Sequence, residues 1–378
     1  MDNHKVLQIG LLSVLLSGGI IRAQVTAGTI SATAKHNTGA VQAKTPSPAL
    51  LILDRGNVAI GGRDEASLAI VDPLTNQIVT RIPVGEEAHA VAVSADGKLA
   101  FVANFGGHSP GHTISVIDLA AQKELRRFDL GPLIRPSGLA VAGGKVYFTA
   151  QNNKLIGRYD PASNQIDWLL GTGQDMTHTI VLTKDAKTIF TANMQSDTVT
   201  AFEPLAPRYR LDPPDWKTTV IPVANGPEGM GVSPDDKEVW TATRTDGSVS
   251  IIDVATKKVT QTFNVQTKKA EVLRFSPDGK MVLVSDMQGG ELVIIDALAR
   301  KVIKRIKLGA KVQPILVVPD SSRAYVGVNG ESNVAIIDLK TLELTGRISI
   351  GDKLNDVVEA PGFPNGTGAA DMAWVEAR

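Results

Sequence analysis

Seven polar residues recur at similar intervals along the chain, each just before a short apolar run: His89, Ser137, His178, Glu228, Glu271, Gln313 and Asn355. If those runs are equivalent strands around one axis, the seven side chains converge at one end of it. Their types support three kinds of chemistry. Placed polar groups in a concavity hold a small molecule or a partner's loop. A carboxylate or imidazole (Glu228, Glu271 or His178) can deprotonate water while Arg135 stabilises a developing oxyanion. Neutral imidazoles of His89, His108, His112 and His178 suit Zn, Cu or Fe. No two of these histidines have a recognised metal spacing within one element, so a metal or redox site depends on the fold to gather them. Taken singly, each polar residue also has a plain structural use, bonding neighbouring backbone around the axis.

The elements that must position these residues are read from a repeat. Short apolar strands end in an acidic residue at Asp72, Asp118, Asp160, Glu203, Asp253, Asp296 and Asp338, at intervals of 42 to 50 residues. Seven anchors predict seven copies. Each copy holds four strands, read in the second as Ala90–Ser94, Leu99–Asn104, Thr113–Asp118 and Glu124–Leu130. A turn recurs between the first two: Ser94-Ala95-Asp96-Gly97, Ser233-Pro234-Asp235-Asp236 and Ser276-Pro277-Asp278-Gly279. Proline presets φ there, Asp bonds back to the chain, and Gly accepts positive φ. A repeat of this length with four strands predicts an all-β, seven-bladed β-propeller of antiparallel blades.

Phe101-Val102-Ala103-Asn104, Phe190-Thr191-Ala192-Asn193 and Tyr325-Val326-Gly327-Val328-Asn329 occupy the second strand of three copies. In these segments the chain resembles the YVTN-repeat family of seven-bladed propellers, which includes lactonase-like and surface-layer members. The resemblance covers residues 50 to 378 and implies the fold. It leaves the activity open, because the family is functionally mixed. The ring is expected to close through a blade shared by the two ends, with Asn355–Ala360 as its inner strand. Leu50–Leu53, Val58–Gly62 and Met372–Val375 are further strand candidates.

In such a ring the first strands line the channel, and the loops before them and after the second strands open on one face. His89, His108, His112 and His178 map there, with Arg135, Arg244, Asp286 and Glu331. The insertion Leu205–Asp215, carrying Arg208, Tyr209 and Arg210, maps to the opposite face as a rigid loop or docking element.

Residues 1–23 read as a secretory signal: Lys5, an apolar run from Val6 to Ile21, and Ala23 before a cleavage point at Gln24. Residues 24–48, rich in Ala, Thr, Ser and Lys, read as a flexible linker, leaving 49–378 for the propeller. A periplasmic or secreted location follows, with no membrane span once the leader is cleaved. The chain has no cysteine, which excludes disulfides, zinc–thiolate sites, lipoprotein anchoring and covalent haem. Lys+Arg and Asp+Glu balance at 39 each, so no bulk field draws nucleic acid. Lys301, Lys304, Arg305 and Lys307 read as a solvated outer edge. The leading reading is an exported monomer that binds a small molecule or protein loop at the channel mouth. The alternatives are a lactonase-like hydrolase and a transition-metal or redox site.

Overall fold

The apolar runs ending in Asp form the third strand of each sheet, and their burial explains their composition. Thr113–Asp118, Ser248–Asp253 and Glu291–Asp296 are buried on both faces along most of their length. Neighbouring blades cover those faces, so both side-chain sets need apolar residues. Outer strands such as Lys123–Asp129 alternate between exposed and half-buried residues, because only one face meets a neighbour.

The computed structural model describes residues 44–56, 66–107, 109–207, 215–351 and 368–376. The expected leader, most of the expected linker, Val58–Gly62, His108, Arg208–Arg210 and Asn355–Ala360 lie outside them. Among the described residues the chain forms seven four-stranded antiparallel sheets and two single-turn 3₁₀ segments, Gln151–Asn153 and Asn329–Glu331. No helix among them is long and apolar enough to cross a membrane.

Blades 2 to 7 are each contiguous in sequence. Their inner strands are Ala88–Val93, Pro136–Ala142, Thr177–Leu182, Pro227–Val232, Ala270–Phe275 and Val312–Val317. Blade 1 combines both ends of the described chain: Ala369–Val375 is innermost, followed by Ala49–Asp54, Ser67–Asp72 and Gln77–Pro83. Leu50 thus lies in a second strand, facing Trp374 on one side and Val71 on the other. The inner strand of this blade includes Met372–Val375, whereas Asn355–Ala360 falls outside the described residues. Leu50, Leu51, Ile52 and Leu53 are fully buried.

The recurrent acidic anchors act at the turn between third and fourth strands. Asp118 accepts the backbone N–H groups of Ala120 and Ala121 at 2.9 and 2.8 Å, and Asp338 those of Lys340 and Thr341 at 2.9 and 2.8 Å. Asp72, Asp160, Asp253 and Asp296 each accept a similar bond. Glu203 departs from this pattern. Its strand runs on to Leu205, and its carboxylate meets Lys257 at 2.7 Å.

The Ser-x-Asp turns repeat as closely. Asp96 accepts the Ser94 hydroxyl at 2.7 Å while Ser94 Oγ accepts the Leu99 N–H at 2.9 Å. Ser233 and Ser276 make the same pairs.

The inner strands crowd together near the axis. A methyl group on Gly229 would lie 2.7 Å from Leu273 N, and one on Gly138 would lie 2.6 Å from His178 O. Glycine at these positions lets adjacent blades approach backbone to backbone. Away from the axis, Thr45 Oγ1 bonds to Leu119 O and accepts Gln122 Nε2 at 3.1 Å. The last residues of the expected linker therefore rest on blade 2. On the outer edge, Arg305 and Lys307 share Glu291 at 2.9 and 2.7 Å.

Candidate functional site

Each inner strand carries a bulge near its start, and the expected mouth residues sit in it. In blade 2, Ala88 pairs with Asn104 and Ala90 with Ala103, so His89 has no partner across the ladder. His178, Glu228 and Glu271 are skipped in the same way. Ser137 and Gln313 fall in two-residue breaks, beside Gly138 and Pro314. In the closing strand the skipped residue is Ala370. It occupies the place expected for Asn355, which lies outside the described residues. A bulge bends its strand and re-aims the extra side chain, here into a channel of about 740 Å³. The channel reaches down to the Ser-x-Asp turns, where Pro234, Ser276 and Pro277 line it.

One side of the mouth is built of neutral rings. His89 and His178 meet edge to face, with centroids 4.9 Å apart, and Phe105 lies 5.1 Å from His89. His89 Nδ1 lies 3.0 Å from Ser137 O. A carbonyl only accepts, so Nδ1 carries the proton and Nε2 keeps a lone pair. Burial, aided by His178 and Arg55, holds His89 well below the ordinary imidazole range. His178 is lowered to about 4, by burial first and the Arg244 charge second. Both rings are therefore neutral at physiological pH.

The opposite side is ionic. Arg244 Nε lies 2.8 Å from Glu228 Oε2, and Arg244 Nη2 lies 3.4 Å from Glu271 Oε1. Lys269 Nζ meets the same Glu271 oxygen at 2.8 Å, and Gln313 Nε2 donates to Oε2. Asn329 extends the chain, donating to Gln313 Oε1 at 2.6 Å and to Ala369 O at 3.0 Å. Glu228 Oε2 is buried and accepts no aligned hydrogen bond despite its closeness to Arg244. Burial and the Glu271 charge push Glu228 up to about 8. It is a largely protonated acid at neutral pH.

Not every expected residue joins this cluster. Arg135 flanks it: its guanidinium lies 4.6 Å over the Phe105 ring, and Nη1 donates to Gly106 O at 3.0 Å. His112 is exposed and pairs with Asp129 at 2.9 Å, away from the residues lining the channel. The expected four-histidine set is thus reduced to the His89–His178 pair, with His108 outside the described residues. Among the described residues no group of three His, Asp or Glu is arranged to hold a metal. Asp286 holds a loop, accepting the Lys268, Lys269 and Gly289 N–H groups at 2.8, 2.9 and 2.8 Å. Glu331 pairs with Arg347 at 3.2 Å.

Sequence reasoning missed Arg55, Lys269, Arg274 and Asp371. Lys269 stands two residues before Glu271, as Arg135 stands two before Ser137, so repeat alignment could have found it. Asp371 follows the unanticipated bulge at Ala370, accepts the Val91 N–H at 3.0 Å, and lies 4.0 Å from Arg274. Arg55 follows a strand whose place in its blade the repeat did not reveal.

Residues 139–323 match the model of the YNCE-like beta-propeller family. The chain is a seven-bladed β-propeller, and just under half of it is similar to that family. Solved structures share the propeller fold. A Bacteroides fragilis protein with the provisional name 6-phosphogluconolactonase superposes with a TM-score of 0.67 at 16% identity, covering 88% of this chain and 99% of that one. A Bacteroides uniformis protein of the same provisional name gives 0.66 at 14% identity, covering 87% and 99%. Hydrazine synthase of Kuenenia stuttgartiensis gives 0.57 at 20% identity, covering 71% of this chain and 90% of that one. No curated protein sequence matches.

Proposed function

We propose that this propeller is an exported binding module whose mouth holds a small molecule or a partner's loop. The observation that carries the reading is the ring of bulges. It directs two neutral imidazoles and an ion-paired carboxylate cluster into one channel. A few oriented polar groups around a concavity are what ligand recognition needs. The test is native mass spectrometry of the purified chain beside a His89→Ala/His178→Ala variant, with thermal shifts against a panel of small metabolites. A ligand bound by the wild type is expected to bind the variant about tenfold more weakly or worse. Equal retention by the two proteins would remove the mouth from the account, and the absence of any ligand would sink the module.

One observation favours a second reading. A largely protonated Glu228 and a neutral His178 in one channel could serve as acid and base in hydrolysis of a lactone or ester. Arg135 is committed to the Gly106 carbonyl, so Arg244 is the better candidate for stabilising an oxyanion. If the wild type turns over a lactone, His178→Ala and Glu228→Gln are expected to lower kcat about 100-fold. Unchanged turnover in both variants would end the hydrolase reading.

Export rests on the leader pattern, and N-terminal sequencing of protein recovered from a bacterial host's periplasm tests it. Gln24 is the expected first residue. Cytoplasmic protein retaining Met1 would overturn the expectation.

A further inference from the structure

We propose that the mouth binds an oxyanion, a carboxylate or phosphate borne by its ligand, on Arg55, and that Glu228 takes up a proton as it binds. This rests on the mouth being a ligand site and adds the chemistry of what enters it. Arg55 directly follows Ala49–Asp54 and lines the channel. Its Nε is buried without a hydrogen-bond partner. Arg244, Lys269 and Arg274 each lie within 4.0 Å of a carboxylate, whereas no such pair is formed by Arg55 among the described residues. Its charge nevertheless acts on His89, His178, Glu228 and Asp371, which come from four different blades. The guanidinium is therefore turned towards the axis.

A partly desolvated guanidinium without an anion is unfavourable, and a bound oxyanion supplies what is missing. Arginine's planar fork also matches carboxylate and phosphate geometry. The imidazoles assist without competing, since both are neutral and His89 Nε2 retains a lone pair for a donor on the ligand.

Proton uptake follows from the surroundings of Glu228. It faces the negative Glu271 and the positive Arg244, Lys269 and Arg55, with His178 neutral beside the cluster and Gln313 bonded to Glu271. A second anion in this space favours the protonated acid. Where Glu228 is ionised in the free protein, binding draws a proton from solution.

Isothermal titration of the full chain with sulfate and with acetate, whose charges are fixed above about pH 6.5, tests both parts. Arg55→Met is expected to weaken binding of each probe about tenfold or more, and Arg55→Lys to restore part of it. Wild-type affinity should fall about tenfold per pH unit above about 8, and this slope should vanish in Glu228→Gln. Heats measured in buffers of different ionisation enthalpy should show the proton taken up. Wild-type affinity in a folded Arg55→Met protein would overturn the anchor, and a pH-independent affinity would overturn the coupling. If neutral compounds bind through His89 and His178 while neither anion does, the oxyanion assignment fails and the module stands. If nothing binds, both fall.

Discussion

A chain ending at Gly351 is expected to lose its cooperative thermal transition. The deletion removes Ala369–Val375, the inner strand of blade 1, and uncovers the ladder edge of Ala49–Asp54. Leu50 to Leu53 are fully buried in the complete ring, and Ala369, Met372, Ala373 and Val375 are buried with them. Burying each large apolar side chain stabilises by roughly 1.5–3 kcal/mol. Losing several together approaches the whole stability of a domain, about 5–15 kcal/mol. The open edge also invites pairing between chains. Circular dichroism melts and sedimentation should show a broad transition and aggregation, and a synthetic peptide spanning 368–378 should partly restore the melt. Ala373→Asp, which buries a carboxylate in the same strand, should lower Tm without shortening the chain. An unchanged Tm in both variants would show that blade 1 does not depend on its C-terminal strand.

The second large effect is electrostatic. Arg244→Met removes the cation shared by Glu228 and Glu271, and breaking a buried pair from one side costs about 3–5 kcal/mol. The loss should be greater at pH 8 than at pH 6, where Glu228 already holds its proton. Adding Glu228→Gln should recover the additional loss seen at pH 8.

The wild type has its own pH dependence. Folded Glu228 keeps its proton to about pH 8, against an ordinary value of 4.5. Its stabilising contribution is complete below 4.5 and is lost as pH rises towards 8. His178 runs oppositely: lowered from 6.5 to about 4, its contribution is lost as pH falls through that range. Above 6.5 Glu228 dominates the mouth, and each pH unit is worth about 1.4 kcal/mol. Stability should therefore drop by about 2 kcal/mol between pH 6.5 and 8, and Glu228→Gln should flatten the decline. Denaturant titrations across that window check it. A wild type that gains stability there, or an Arg244→Met loss independent of pH, would contradict the assignment.

Much of this architecture is legible in local signals. Asp118 and Asp338 mark turns because their carboxylates bond the next backbone N–H groups. Ser94 and Asp96 mark the hairpin because their bonds are also local. Repeat alignment then brings His89 and His178 to one mouth, since equal places in equal blades share a height along the axis. Long-range features escape this logic. Ala369–Val375 lacks the anchor and hairpin signature, because its partner Ala49–Asp54 comes from the other end of the chain. Arg55 and Asp371 are missed for the same reason. His112 meets Asp129 and not the channel residues, because face assignment gives height along the axis but not radial distance. Lys269 was available from the alignment, since charge two residues before the bulge recurs at Arg135.

The bulges also bear on how such a propeller diversifies. At His89, His178, Glu228, Glu271 and Ala370 the skipped side chain has no partner across the ladder. Exchanging one therefore changes what the channel presents while leaving strand pairing intact. The ring behaves as a frame with interchangeable fittings, in which recognition can be rewritten at a few places without renegotiating the fold.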